Sequence, residues 1–199
     1  MSETKMCANC GTNPVDINVF KGRRPYCAEC HNTLTIAKQR EYKKHCIDHM
    51  GGSCDHCGFN SCQAALNFHH VLKSENNKKV SSLYSPYPLS SKVLGELSKC
   101  VLTCTNCLYI HYRGSGKPPS ELKVRCLAHL GHVCSKCSFD WRATSGGSSA
   151  MQFHHLDASM KRLNIGRAKV EHFARIVDEV DQCVLLCANC HSEEHYKTL

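Results

Sequence analysis

Aromatic side chains are scarce in this 199-residue chain: six Phe, seven Tyr and one Trp accompany an apolar fraction of 42%. That is a small supply for a single large core, so several small stapled units are expected. Long apolar runs are missing too. No window approaches the roughly 18 uninterrupted apolar residues that a bilayer-crossing helix needs, which argues against a membrane role. The opening MSETK has none of the apolar character of a secretory signal. Cysteine, by contrast, is abundant. The 17 cysteines make up about 8.5% of the chain, the level of a metal or disulfide scaffold. Because 17 is odd, a closed disulfide framework is disfavoured, and a reducing, cytoplasmic setting is expected.

The formal charge of +8 counts every cysteine as neutral. A thiol loses its proton on binding zinc, so three four-thiolate centres would leave about +2. Overall basicity is therefore weak evidence for a polyanionic partner, and its distribution says more. Residues 1–119 hold 15 Lys and Arg against 8 Asp and Glu, whereas 120–199 hold 10 against 9.

Twelve cysteines form six CxxC pairs: Cys7/Cys10, Cys27/Cys30, Cys54/Cys57, Cys104/Cys107, Cys134/Cys137 and Cys187/Cys190. Two intervening residues let both sulfurs of a tight knuckle face one ion, and two knuckles complete a tetrahedral zinc shell. Taken in order they predict three zinc sites, with 16, 46 and 49 residues between knuckles. The first span fits a ribbon or finger; the other two require an inserted element. A redox role for CxxC does not call for six pairs in successive sets.

The chain also repeats itself. CIDHMGGSCDHC at 46–57 matches CLAHLGHVCSKC at 126–137, LNFHH at 66–70 matches MQFHH at 151–155, and CVLTCTNC at 100–107 matches CVLLCANC at 183–190. The offsets are 80, 85 and 83. Cys46 repeats as Cys126 and Cys100 as Cys183, while Cys62 stands alone. These five are expected to be small buried apolar residues. Three units follow: 1–45, a four-cysteine zinc module with a basic helix; 46–119, the first repeat; and 120–199, the second. Helices are expected over 33–50, ending at Gly51 and Gly52, over about 120–130 with Ser120 as cap, and over about 168–180. RGSGKPPS at 113–120 reads as a linker and SGGSS at 145–149 as a flexible loop.

Beyond the last knuckle, His191 and His195 lie four apart and share one face if that segment is helical. A third ligand from the His154-His155 strand would leave positions open for water and substrate, the arrangement of a catalytic ion. Neighbouring strand residues point to opposite faces, so one histidine would bind the ion and the other would be free as a base. This pattern of an HH strand, a CVLLCANCH segment and two framing knuckles resembles the HNH endonucleases, in particular a phage-type subgroup. CANC, GRRPYCAEC and the basic helix resemble the zinc module often found before that domain.

The resemblance implies a fold of small α+β zinc-stapled modules, with two tandem HNH (ββα-metal) domains after an amino-terminal four-cysteine ribbon or finger. It implies His154, His191 and His195 as ligands of a catalytic Mg²⁺, Mn²⁺ or Zn²⁺, and His155 as general base. DNA is the implied partner. A homodimer or a second event would be needed to cut both strands. Gln182 stands where the family has its middle Asn, so either Gln182 or Asn164 is left to orient the base.

In the first repeat, Leu108 and Tyr112 take the places of His191 and His195, and His111 is one residue out of register. On an α-helix that is a rotation of about 100°. This copy is expected to keep its zinc and to lack the catalytic ion. Candidate phosphate contacts are Lys21, Arg23, Arg24, Lys38, Arg40, Lys43, Lys44, Lys78 and Lys79, an ordinary solvated face being the other reading of each. The competing class is a non-catalytic zinc protein that binds nucleic acid or acts as an adaptor on the same scaffold.

Overall fold

The computed structural model describes residues 4–11, 14–16, 26–72, 74–75, 77–113, 118–157, 159, 161–162, 165 and 173–197. They form small mixed α+β units around three four-cysteine clusters. Strands β1 (Thr4–Met6) and β2 (Pro14–Asp16) make a short antiparallel hairpin that carries the first knuckle. Cys27 then caps α1 (Ala28–His49), its Sγ accepting the N–H of Cys30 at 3.5 Å. The helix thus starts five residues before the expected Thr33, because the second knuckle is itself the first turn. With 22 residues it is about 33 Å long and runs unbroken across residues 45 and 46, joining the first four-cysteine cluster to the core of the first repeat. It stops as expected: Gly52 N–H reaches the Ile47 carbonyl at 3.0 Å, with Gly51 at φ +90°.

The first repeat continues with a 3₁₀ turn at Gln63–Ala65, β3 (Leu66–His70), a 3₁₀ turn at Val80–Leu83, α2 (Ser91–Leu97), β4 (Cys100–Cys104) and α3 (Thr105–Cys107). A π-helical segment, Leu108–Arg113, follows directly. The second repeat opens with α4 (Glu121–His129), where Ser120 Oγ accepts the Lys123 N–H at 3.2 Å as the sequence suggests. It then forms β5 (Met151–His155), α5 (Phe173–Asp181), β6 (Cys183–Cys187) and α6 (Ala188–Lys197). Residues 114–117 of the expected linker and 168–172 of the expected helix lie outside the described residues.

The repeats share their pairing register. His70 faces Cys100 across β3 and β4 as His155 faces Cys183 across β5 and β6. The first knuckles also match: Cys54 N–H donates to Phe59 and Cys134 N–H to Phe139, both at 2.9 Å. Each repeat has two small apolar clusters instead of one large core. In the first, Ile47, Leu66 and Leu102 pack beside the thiolate cluster, while Tyr42, Val80, Val93 and Leu97 pack under α2. Cys46 and Cys126 are fully buried, Cys183 is buried, and Cys62 and Cys100 are half-buried. Burial pushes the Cys100 and Cys183 thiols up to about 11, so both stay protonated, and each donates to a helix carbonyl, of Glu96 and Glu179 respectively.

The segment at 145–149 is not the loose loop its composition suggests. Residues Gly147–Ala150 form a 3₁₀ turn with Ser148 buried. A Cβ on Gly147 would lie 2.3 Å from the Trp141 carbonyl oxygen, so only glycine fits there. The turn is pinned because the π-helical segment of the first repeat packs on it, just as α6 packs on the Gln63–Ala65 turn. The two repeats therefore contact each other through equivalent parts. Among the described residues no helix is long and apolar enough to cross a membrane.

Candidate metal centres

In each four-cysteine set all Sγ atoms lie within 4.8 Å of one another. Between knuckles, Cys10 and Cys27 are 4.0 Å apart, while Cys57/Cys104 and Cys137/Cys187 are both 3.7 Å apart. A zinc ion with sulfur at about 2.3 Å sets tetrahedral sulfurs about 3.8 Å from each other, so the three sets fit zinc. Their chemistry fits as well. The Cys107 thiol donates to Cys104 and draws it down to about 5; the Cys187 thiol does the same for Cys134, drawing it to about 4. In every second knuckle the first sulfur also accepts the N–H of the second cysteine, so the four-cysteine cluster and a helix start are one structure.

That coupling fixes α6. Cys187 caps its first turn, and His191 and His195 follow on one face. Strand β5, paired with β6, brings His154 opposite Val184 and against that face. The three rings converge with centroid separations of 5.2 Å (His154 to His191), 5.4 Å (His154 to His195) and 4.6 Å (His191 to His195). The Nε2 atoms of His191 and His195 are 3.3 Å apart, and one ring nitrogen of each histidine falls within a 4.8 Å set. Two imidazoles on one ion at about 2.1 Å would stand about 3.0–3.4 Å apart. Burial, then the neighbouring His195 and His154, pushes His191 down to about 4; burial and His195 also lower His154. Both rings therefore carry free lone pairs at neutral pH, as a metal ligand must. His195 is exposed, which leaves this cluster open on one side.

His155 turns the other way. Its Nε2 lies 2.7 Å from Oε1 of the buried Glu179 on α5, and that same oxygen accepts the Arg162 N–H at 2.9 Å. Sequence reasoning missed Glu179, although the duplication held a signal: Glu96 and Glu179 each stand four residues before the paired Cys100 and Cys183. Gln182 is exposed, and its backbone carbonyl accepts the Leu156 N–H at 3.0 Å at the far end of the strand pair from the helix histidines. Asn164 lies outside the described residues.

The first repeat keeps the same frame with a different filling. His70 Nε2 lies 2.6 Å from Oε1 of Glu96. Lys99, the Lys78 N–H and His70 together hold that carboxyl down at about 2. The Tyr112 ring stacks on His69 at 4.0 Å, in the place His195 takes against His154. Tyr112 Oη is 2.9 Å from His56 Nε2, and Leu108 is buried. The expected α-helical register for His111 does not apply, since the segment is π-helical. His111 stands against His56 at 4.7 Å, and among the described residues it joins no three-ligand set.

The basic residues divide. Lys38, Lys43 and Lys79 line one cavity. Arg40 is committed elsewhere: its Nη2 donates to the Tyr196 carbonyl at 2.9 Å and its guanidinium lies 4.0 Å over the Tyr196 ring, which ties α1 to α6. Lys44 pairs with Asp48 at 2.6 Å on the exposed face of α1. Lys78 is exposed; Lys21, Arg23 and Arg24 lie outside the described residues. No protein-family model, curated protein or solved structure matches this chain.

Proposed function

We propose that the chain is a metal-dependent DNA endonuclease of the HNH type, with one working centre in the second repeat and a first repeat retained for zinc-stapled shape and DNA contact. The convergence of His154, His191 and His195 from a strand and a zinc-capped helix carries this reading. A divalent ion held there would polarise a phosphodiester oxygen and stabilise the leaving oxygen. His155, with Nε2 bonded to Glu179, has Nδ1 left to take a proton from the attacking water. Glu179 fixes the ring's orientation, a positioning role. One three-histidine set among the described residues makes a single-strand nick the elementary product.

A non-catalytic zinc protein on the same scaffold is the second reading. It is favoured by the first repeat, which keeps the same register, knuckles and His-Glu bond without the ligand set. Plasmid relaxation with Mg²⁺ or Mn²⁺ separates the two. Wild type should accumulate nicked circles, and His155→Ala should slow this by roughly 10²- to 10⁴-fold. Equal nicking by both proteins would remove His155 as the base; no nicking by wild type with either ion would favour the scaffold reading.

A further inference from the structure

A half-open cavity of about 870 Å³ lies in the first repeat between α1, β3 and the 3₁₀ turn that follows it. Its volume falls within the range of small-molecule sites. Lys38 and Lys43 come from α1 and Lys79 from the segment leading into the 3₁₀ turn, and among the described residues no aspartate or glutamate lines it. Lys43 is half-buried, its amine donating to the Ala64 carbonyl at 3.2 Å. Burial has already pushed its ammonium down to about 8, so it is still mostly charged at neutral pH and gains from an anion beside it. Phe68 and the half-exposed Tyr84 add aromatic surface to the same cavity.

Among the described residues, the second repeat has a shorter helical wall at this place. Helix α4 begins only at Glu121, and at the repeat offset Pro118 and Pro119 replace Lys38 and Gln39. The cavity thus belongs to the copy whose helix histidines are absent, beside His69 and His70 of its HH strand.

We propose that this cavity binds a nucleoside 5′-phosphate unit, the phosphate among Lys38, Lys43 and Lys79 and the base against Tyr84 and Phe68. The chemistry is a charge-assisted set of lysine contacts to phosphate joined to aromatic stacking, which tolerates any base. The unit could come from a free mononucleotide or from the 5′ end of a DNA strand. Binding needs neither an ion at His154 nor hydrolysis, so it stands or falls apart from the nuclease reading.

The test is calorimetric titration of the zinc-loaded full chain with dAMP, without added Mg²⁺ or Mn²⁺. One saturable site per chain is expected, with deoxyadenosine at least about 10-fold weaker. Lys38 and Lys79 are exposed, so the Lys38→Ala/Lys79→Ala variant should fold, and it should bind dAMP at least about 10-fold more weakly. Competition by a 5′-phosphorylated single strand, and not by its 5′-hydroxyl form, supports the proposal with a strand end as the source. Saturable dAMP binding without such competition supports it with a free nucleotide. Absence of saturable binding below about 10 mM, equal affinity for deoxyadenosine, or an unchanged double variant would overturn it.

Discussion

The Oδ1 of Asn106 accepts the backbone N–H of Asn189, and the Oδ1 of Asn189 accepts that of Asn106, both at 3.0 Å. Across the repeat boundary Asn189 also helps hold Cys104 low, whereas Asn106 only partly offsets the upward push that Cys134 and burial give Cys187. Each second knuckle therefore bonds its asparagine to the backbone of the other repeat's second knuckle, and the duplicated halves form an internal pseudo-dimer.

This exchange should be visible in a double-mutant cycle. Asn106→Ala and Asn189→Ala each leave a part-buried N–H short of its partner, at a cost of about 1–3 kcal/mol. Because the two reciprocal bonds form one unit, the double variant should lose clearly less than the sum, with a coupling of about 0.5–3 kcal/mol. Urea denaturation of the four proteins measures it; strict additivity would mean that the two asparagines act independently.

Metal content is the next expectation. Elemental analysis of protein purified without chelator should find three tightly held zinc ions per chain. Removing them should abolish the cooperative unfolding transition, since the binding energy of such centres is folding energy. One zinc per chain, or a folded metal-free protein, would contradict the three-site assignment.

The sequence made these clusters legible because a knuckle is a local object: spacing alone sets which sulfurs can face one ion. The four-residue step that puts His191 and His195 on one face likewise needs no tertiary information, whereas the choice of His154 as their companion came from the resemblance to HNH nucleases, because it depends on the pairing of β5 with β6. Other features depend on distant partners. Arg40 reads as a phosphate contact until the fold brings it to Tyr196, 156 residues away. SGGSS reads as loose until the other repeat packs on it. The π-helical register of Leu108–Arg113 and the burial of Glu179 likewise have no periodic signature, because contacts between elements set them.

Lys43 gives a pH dependence at the alkaline end, where the zinc thiolates are stable. Burial pushes its ammonium down to about 8, against about 10.4 in an unfolded chain. Between those values the unfolded state binds more protons, so this residue makes stability rise with pH across that window and fall as pH drops back through about 8. Urea midpoints at pH 8, 9 and 10 should therefore rise more, or decline less, in wild type than in Lys43→Met. Parallel curves would contradict the burial of a charged amine at this position.

The two His-Glu bonds form an internal control. Glu179→Gln should slow nicking, though by less than His155→Ala, because it disturbs the orientation of the ring and leaves the imidazole in place. Glu96→Gln, in the copy without the helix histidines, should lower stability and leave the nicking rate of the folded protein unchanged. Equal loss of nicking in both variants would assign the bond to the fold alone.

The most direct measurement is the rate of supercoiled plasmid nicking by the three-zinc protein as Mn²⁺ is added, for wild type and His191→Ala side by side. The wild-type rate should rise and saturate with Mn²⁺, while the variant, still carrying three zinc ions, should stay at background. Equal rates, or a variant that follows the same Mn²⁺ curve, would contradict a hydrolytic ion held by His154, His191 and His195.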